Sequence, residues 1–112
     1  MEFKTKAVGD VTIVSPSKNR LDAVLAPKLK ELVTGLVEAG NNKIILDVSG
    51  VEFMDSSGLG AAVAALKIVG GDGEMAVCGA GGLVADLFKL THMDRVFTMA
   101  ANEDDALVKL AS

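Results

Sequence analysis

The segment from Lys43 to Gly60, KIILDVSGVEFMDSSGLG, restricts the possible folds more than any other stretch. It opens with Lys43-Ile44-Ile45-Leu46-Asp47-Val48, which is apolar on both faces of a strand. Only a strand covered on both sides has that pattern, and such strands belong to largely parallel sheets with helices packed on them. A turn at Ser49-Gly50 and a brief apolar step from Val51 to Met54 lead to Asp55-Ser56-Ser57-Gly58. A helical pattern then begins and runs to about Val69, where Gly70-Gly71-Asp72-Gly73 breaks it. An acid and two hydroxyls therefore sit where a buried strand hands over to a helix N-terminus. Free backbone N–H groups gather there, and an anion is well tolerated.

The flanking sequence fits the same architecture. Phe3–Ala7 and Val11–Ser15 are β-prone runs around Gly9-Asp10, a hairpin signal. After the polar loop 15–20, Leu25, Leu29, Leu32 and Leu36 recur at helical spacing. Pro27 is tolerated only in a first turn, so this helix should begin near residues 23–26 and end at Gly40-Asn41-Asn42. Glu74–Cys78 reads as a second buried strand, followed by a glycine-rich turn over 79–82. Leu83, Leu87 and Leu90 mark a third helix, with Val84 and Phe88 beside them. Thr91–Arg95 is a connector and Val96–Met99 a short last strand. Asn102 is placed to cap a final helix whose first turn holds Glu103, Asp104 and Asp105 and whose buried face is Ala106, Leu107 and Leu110. The expected fold is α/β, a mixed and mainly parallel sheet of four to five strands with an N-terminal hairpin and about four helices packed on it.

At 112 residues the chain is expected to form one domain over residues 1–112, large enough to bury roughly two-thirds of its unfolded surface. No run approaches the roughly 18 apolar residues of a spanning helix, and Met1-Glu2-Phe3-Lys4 lacks an apolar leader, so neither a membrane nor a secretory route is expected. The single cysteine, Cys78, has no partner for an internal disulfide and reads as an inert strand residue of a cytoplasmic protein. A net charge of -4 and the absence of Trp and Tyr argue against a DNA-binding face.

Few chemistries survive the residue inventory. One His and one Cys cannot assemble a His/Cys metal site, and the acids show no EF-hand spacing. Ser56 and Ser57 lie on a strand-to-helix turn as a hydrolase nucleophile does, but Met54 and Asp55 stand where the Gly-x-Ser-x-Gly elbow needs glycine. The one available base, His92, lies in the helix–strand connector and reads as a helix-end histidine. The glycine-rich turns at 70–73 and 79–82 match neither dinucleotide nor P-loop spacing. A small serine hydrolase and a nucleotide-binding protein are the alternatives to a binding module. On the helix after Asp55, Leu59, Ala62, Val63, Leu66 and Val69 form a core stripe. Ser57, Gly60, Ala61, Ala64 and Ile68 form a second face of mostly small residues, expected to admit a partner close to the backbone. A hydroxyl at the head of that face is well placed for a charge switch.

The run Asp47-Val48-Ser49-Gly50-Val51-Glu52-Phe53-Met54-Asp55-Ser56-Ser57-Gly58-Leu59-Gly60 resembles the signature of bacterial anti-sigma-factor antagonists, the STAS-domain proteins of partner-switching systems. Similarity extends to Arg20-Leu21-Asp22, to Gly71–Cys78 and to Leu90–Phe97. The resemblance implies a non-enzymatic regulator of transcription that needs no cofactor of its own and is monomeric when free. Ser56 is the implied phosphorylation site, with Ser57 the alternative acceptor. The implied partners are an anti-sigma factor that is also a serine kinase, which holds ATP and magnesium and is bound by the unphosphorylated form, and a PP2C-type phosphatase that resets the serine. Asp22 matches a family aspartate that supports phosphorylation and binding, and Asp55 is the signature acid. Ser57, Gly58, Gly60, Ala61, Ala64 and Ile68 complete the implied docking surface. Leu25 stands where family members often carry a threonine, so Asp22 is also the candidate to cap the first helix. Secretion and second-messenger pathways use the same switch, so a non-sigma pathway is the alternative setting.

Overall fold

The computed structural model describes residues 2–111. In chain order the elements are β1 (Phe3–Val8), β2 (Val11–Pro16), β3 (Arg20–Leu21), α1 (Ala26–Glu38), β4 (Lys43–Asp47), β5 (Phe53–Met54), α2 (Ser56–Val69), β6 (Glu74–Cys78), α3 (Gly82–Leu90), β7 (Thr98–Ala100) and α4 (Glu103–Ala111). A 3₁₀ turn, Met93–Arg95, joins α3 to β7. The main sheet has the order β1-β2-β4-β6-β7, with β1 antiparallel to β2 and every other pair parallel. The hairpin, the doubly buried strands and the four helices are those expected from the sequence. Among the described residues, no helix is long and apolar enough to cross a membrane.

Alternation along the strands divides the interior. Val14, Ile44, Leu46, Met75 and Val77 point to one face, where α1, α2 and α3 cover them with Leu29, Val33, Leu59, Ala62, Ala65, Val84 and Phe88. Val11, Ile13, Ile45, Ala76 and Cys78 point to the other face, covered by Ala106 and Leu110 of α4. Phe88 meets Phe97 edge-to-face at 5.8 Å, which ties α3 to the approach of β7. The Asn102 carboxamide accepts the Asp105 N–H at 2.8 Å, the cap read from the sequence.

Three details differ from the sequence reading. The leucine spacing of α3 marks the helix but not its core face: Val84 and Phe88 are buried, whereas Leu83 and Leu90 are 72% and 80% exposed. The (i, i+4) pair Val84 and Phe88 seats this helix, with Leu87 half-buried beside it and Leu83 and Leu90 on the outside. On α2, Ala61 is buried, as are Gly58 and Ala65, while Val63 and Leu66 are only half-buried. The helix lies against the sheet and against α1 together, so its buried arc is wider than one stripe and rotated toward the small residues. Finally, Arg20-Leu21 leaves the expected polar loop to form a parallel two-residue ladder with Phe53-Met54.

Candidate functional site

The short ladder builds the site. Arg20 registers with Phe53 and Leu21 with Met54; Leu21 and Met54 point into the core. The Asn19 carbonyl accepts the N–H groups of Glu52 and Phe53 at 2.7 and 3.2 Å, and its side-chain amide donates to Glu52 Oε2 at 2.8 Å. Segment 19–21 is thereby stitched to segment 52–54, and each strand ends in an aspartate, Asp22 or Asp55.

Asp55 is the N-cap of α2. Its backbone is extended, and Oδ1 accepts the Gly58 N–H at 2.9 Å. Such a cap contributes about 1 kcal/mol and fixes where the helix starts. Ser56 and Ser57 are therefore the first two helical residues, both exposed, with amides that have no acceptor within the helix. The hydroxyls and those amides share one surface at the positive end of the helix.

Asp22 performs a related task on the neighbouring segment. Oδ1 accepts the Val24 and Leu25 N–H groups at 3.1 and 3.3 Å, and its carbonyl accepts the Leu25 and Ala26 N–H groups at 3.1 and 2.8 Å. The carboxylate caps the turn over 23–25, one turn ahead of α1, instead of capping α1 itself, whose N-cap, Leu25, makes no side-chain cap bond. The remaining oxygen, Oδ2, faces the Arg20 guanidinium at 3.6 Å.

Gly58 locks the two halves together. A Cβ there would lie inside the Leu21 carbonyl oxygen, 2.8 Å from its carbonyl carbon and 3.2 Å from its Cγ. The backbone of β3 thus lies directly on the first turn of α2, which only a residue without a side chain permits. Of the surface expected for a partner, Ser57 and Gly60 are exposed and Ala64 and Ile68 half-buried. Gly58 and Ala61 belong to the interior: the first is pressed on Leu21 and the second is 1% exposed in the main core. Gly60 has open space beyond its Cα.

His92 ends α3 in the left-handed conformation (φ 60°) and is exposed. Among the described residues, no hydrogen bond joins its ring to Ser56 or Ser57. An open groove of about 580 Å³ between β1 and α1, lined by Phe3, Leu32 and Leu36 among others, includes neither serine. No group of three or more potential ligand side chains gathers to hold a metal among the described residues. Cys78 is buried under the sheet, and burial, then the nearby acids Asp47 and Glu103, pushes its thiol up to about 12.

The sequence reading did not anticipate a polar corner at the end of β4. Burial opposes the charge on Asp47, but the donors on it, the Ser49 N–H at 2.9 Å with the Ser49 hydroxyl and the Cys78 thiol, help hold the carboxyl below its usual range. Lys6 reaches Glu103 at 2.7 Å, so this corner fastens α4 to the hairpin. Residues 6, 47 and 103 are too far apart in sequence for any local pattern to reveal it.

A capped helix start carrying two exposed serines, with a second aspartate clamped beside it, is thus the polar centre of a four-helix, mainly parallel sheet protein. The family model of the STAS domain matches residues 2–106. The chain belongs to the STAS-domain family. The anti-sigma-B factor antagonist of Staphylococcus aureus is 33% identical to this STAS domain over 74 residues, covering 65% of this chain and 68% of that protein. The anti-sigma F factor antagonist of Paenibacillus polymyxa is 35% identical over 68 residues, covering 60% and 58%. Among solved structures, an anti-sigma factor antagonist from Mycobacterium paratuberculosis superposes with a TM-score of 0.89 at 26% identity, covering 98% and 93% of the two chains. The anti-sigma factor antagonist SpoIIAA shares the fold in its unphosphorylated form, with a TM-score of 0.75 at 18% identity over 98% of each chain. The family and the fold expected from the resemblance are therefore both found.

Proposed function

We propose that this STAS domain is a cytoplasmic, non-catalytic anti-sigma-factor antagonist that forms one domain over residues 1–112 and is switched by phosphorylation of Ser56. Unphosphorylated, it binds an anti-sigma factor that is also a serine kinase and so frees the sigma factor. Phosphorylated on Ser56, it releases that partner until a PP2C-type phosphatase removes the phosphate. The observation that carries this reading is the exposed Ser56 hydroxyl at the capped start of α2, with Asp22 held beside it through the Leu21–Gly58 contact.

The magnitudes support a switch that acts at the interface and leaves the fold intact. A phosphate adds about -1.5 to -2 charges. The helix N-terminus favours it by about 0.3–1 kcal/mol, and the carboxylates of Asp22 and Asp55 offset that gain. Within a docked interface an uncompensated charge costs several kcal/mol, and each 1.4 kcal/mol is a tenfold loss of affinity. A partner seated over Ser57, Gly60 and Ala64 is then expelled without any refolding.

The test is incubation of the purified protein with cell extract and ATP, followed by mass spectrometry of the peptide carrying residues 56 and 57. Phosphate on Ser56, abolished in Ser56→Ala while partner capture persists, supports the reading. Phosphate on Ser57 alone moves the acceptor by one residue and refutes the assignment to Ser56. Absence of phosphate on either serine, with Ser56→Asp still capturing the partner, refutes the switch.

A further inference from the structure

We propose that Arg20 is a clamp for the phosphate on Ser56, exchanging Asp22 for that phosphate once the serine is modified; this rests on the reading of Ser56 as the acceptor. Arg20 and Asp22 are two residues apart at the end of β3, with Leu21 pointing inward between them, so the pleat places both on the outward side. The guanidinium lies 3.6 Å from Asp22 Oδ2, so the Arg20 side chain runs forward along the strand to the end of the ladder. Ser56 emerges at that same end. It is two residues beyond Met54, which registers with Leu21, and the Leu21 carbonyl rests on the first turn of α2 at Gly58.

The existing pair is loose and expendable. At 3.6 Å it is longer than a hydrogen bond, and the Arg20 side chain is 60% exposed. Asp22 does not depend on it, because Oδ1 is already held by the Val24 and Leu25 N–H groups. The other acids of the ladder are engaged elsewhere: Glu52 by the Asn19 amide and Asp55 by the Gly58 N–H. A phosphate dianion offers a guanidinium more charge and a two-pronged match to its N–H groups, and it outcompetes a carboxylate that touches Arg20 only at one distant oxygen. The Ser56 and Ser57 amides, without acceptors in the helix, supply further donors. Phosphorylation then alters the surface at two points: the phosphate is held down on the protein, and Asp22 loses its cation.

The experiment uses the full chain with phosphoserine installed at position 56 by genetic encoding, so that no kinase is needed. The ³¹P resonance is titrated through the second ionisation of the phosphate in three forms: Arg20, Arg20→Gln and Arg20→Lys. A cation held against the phosphate lowers the titration midpoint, by about half a unit or more relative to Arg20→Gln, a roughly threefold shift in the protonation constant. Arg20→Lys falls between the two, keeping the charge without the fork. Thermal unfolding of the unmodified Arg20→Gln protein checks that the ladder is intact, as expected for an exposed side chain. Midpoints for Arg20 and Arg20→Gln that agree within about 0.1 unit overturn the clamp, since a nearby unit charge must shift the phosphate. Failure of extract and ATP to modify Ser56 would overturn the acceptor reading and leave this titration unaffected, so the two failures are distinguishable.

Discussion

Two glycine-to-alanine substitutions two residues apart in α2 should change stability in opposite directions. In a helix interior alanine is favoured over glycine by about 1 kcal/mol, from propensity alone. At Gly60 nothing lies within 4 Å of the added methyl, so Gly60→Ala should realise most of that gain. At Gly58 the same methyl meets the Leu21 carbonyl group and Leu21 Cγ at 3.2 Å. Carbon atoms in contact sit about 3.5–4.0 Å apart, so β3 must retreat from α2 by around an ångström. It is held by its ladder with β5 and by the Asn19 bonds to Glu52 and Phe53, and retreat strains or breaks these. Overpacking costs about 1–3 kcal/mol and each lost hydrogen bond about 1 kcal/mol. Against the propensity gain, Gly58→Ala should destabilise by about 2–3 kcal/mol net, and the two variants should differ by about 3–4 kcal/mol. Equilibrium urea unfolding measures this directly; in a thermal melt the gap is on the order of 10 °C for a domain of this size. A Gly58→Ala protein as stable as the parent would refute the close seating of β3 on α2, and with it the rigid pairing of Asp22 and Ser56.

Other perturbations separate roles that share a residue. Asp22→Asn keeps an acceptor for the Val24 and Leu25 N–H groups and should cost under about 0.5 kcal/mol, whereas Asp22→Ala loses the cap and should cost about 1 kcal/mol. If both slow Ser56 phosphorylation equally despite that difference in chemical unfolding, the charge matters and the cap does not. Native Cys78 should resist a disulfide reagent at pH 8: a thiol pushed up to about 12 has roughly a thousandfold less thiolate than one at its ordinary value, so labelling should track unfolding. Rapid labelling of folded protein would contradict its position under the sheet. The Asp105 carboxyl is held below its usual range by the Ala101 N–H at 2.9 Å and by Lys109. Its contribution is therefore present above the unfolded-state value near 4 and lost as pH falls through the lower folded value. Asp105→Asn should flatten the acid limb of the stability–pH curve below about pH 4, as followed by circular dichroism, and an unchanged limb would exclude the contribution.

Much of this was legible in the residues, and the exceptions share a cause. The buried strands β4 and β6 declared themselves through unbroken apolar runs, and the start of α2 through an acid and two hydroxyls set ahead of a helical pattern. The β3–β5 ladder was invisible because a two-residue strand has no period, and its partners lie more than thirty positions apart. Ala61 was assigned to the outside because its spacing grouped it with Ser57, Gly60 and Ala64, although small side chains are what let α2 lie close to both α1 and the sheet. Leu83 and Leu90 misled in the opposite direction, since a large apolar residue signals a core but does not require one. At the site, the acid and hydroxyls at the start of α2 could be placed from the strand-to-helix pattern, whereas the association of Asp22 with Ser56 came only through the family resemblance. Its physical basis, the Leu21 carbonyl on Gly58, is a backbone contact that no side-chain pattern encodes.

That contact also bears on how a recognising enzyme spends its binding energy. With β3 lying on the first turn of α2, Asp22 and Ser56 follow from two segments packed backbone against backbone. On the function proposed above, a kinase that read both would meet a site already ordered and forgo the roughly 0.5–1.5 kcal/mol that each newly immobilised side chain would cost on binding. Because that packing is backbone against backbone, residues 15–18 and the outer face of α2 are free to diversify. Substitutions there would alter which partner is bound and leave the proposed acceptor presented in the same way.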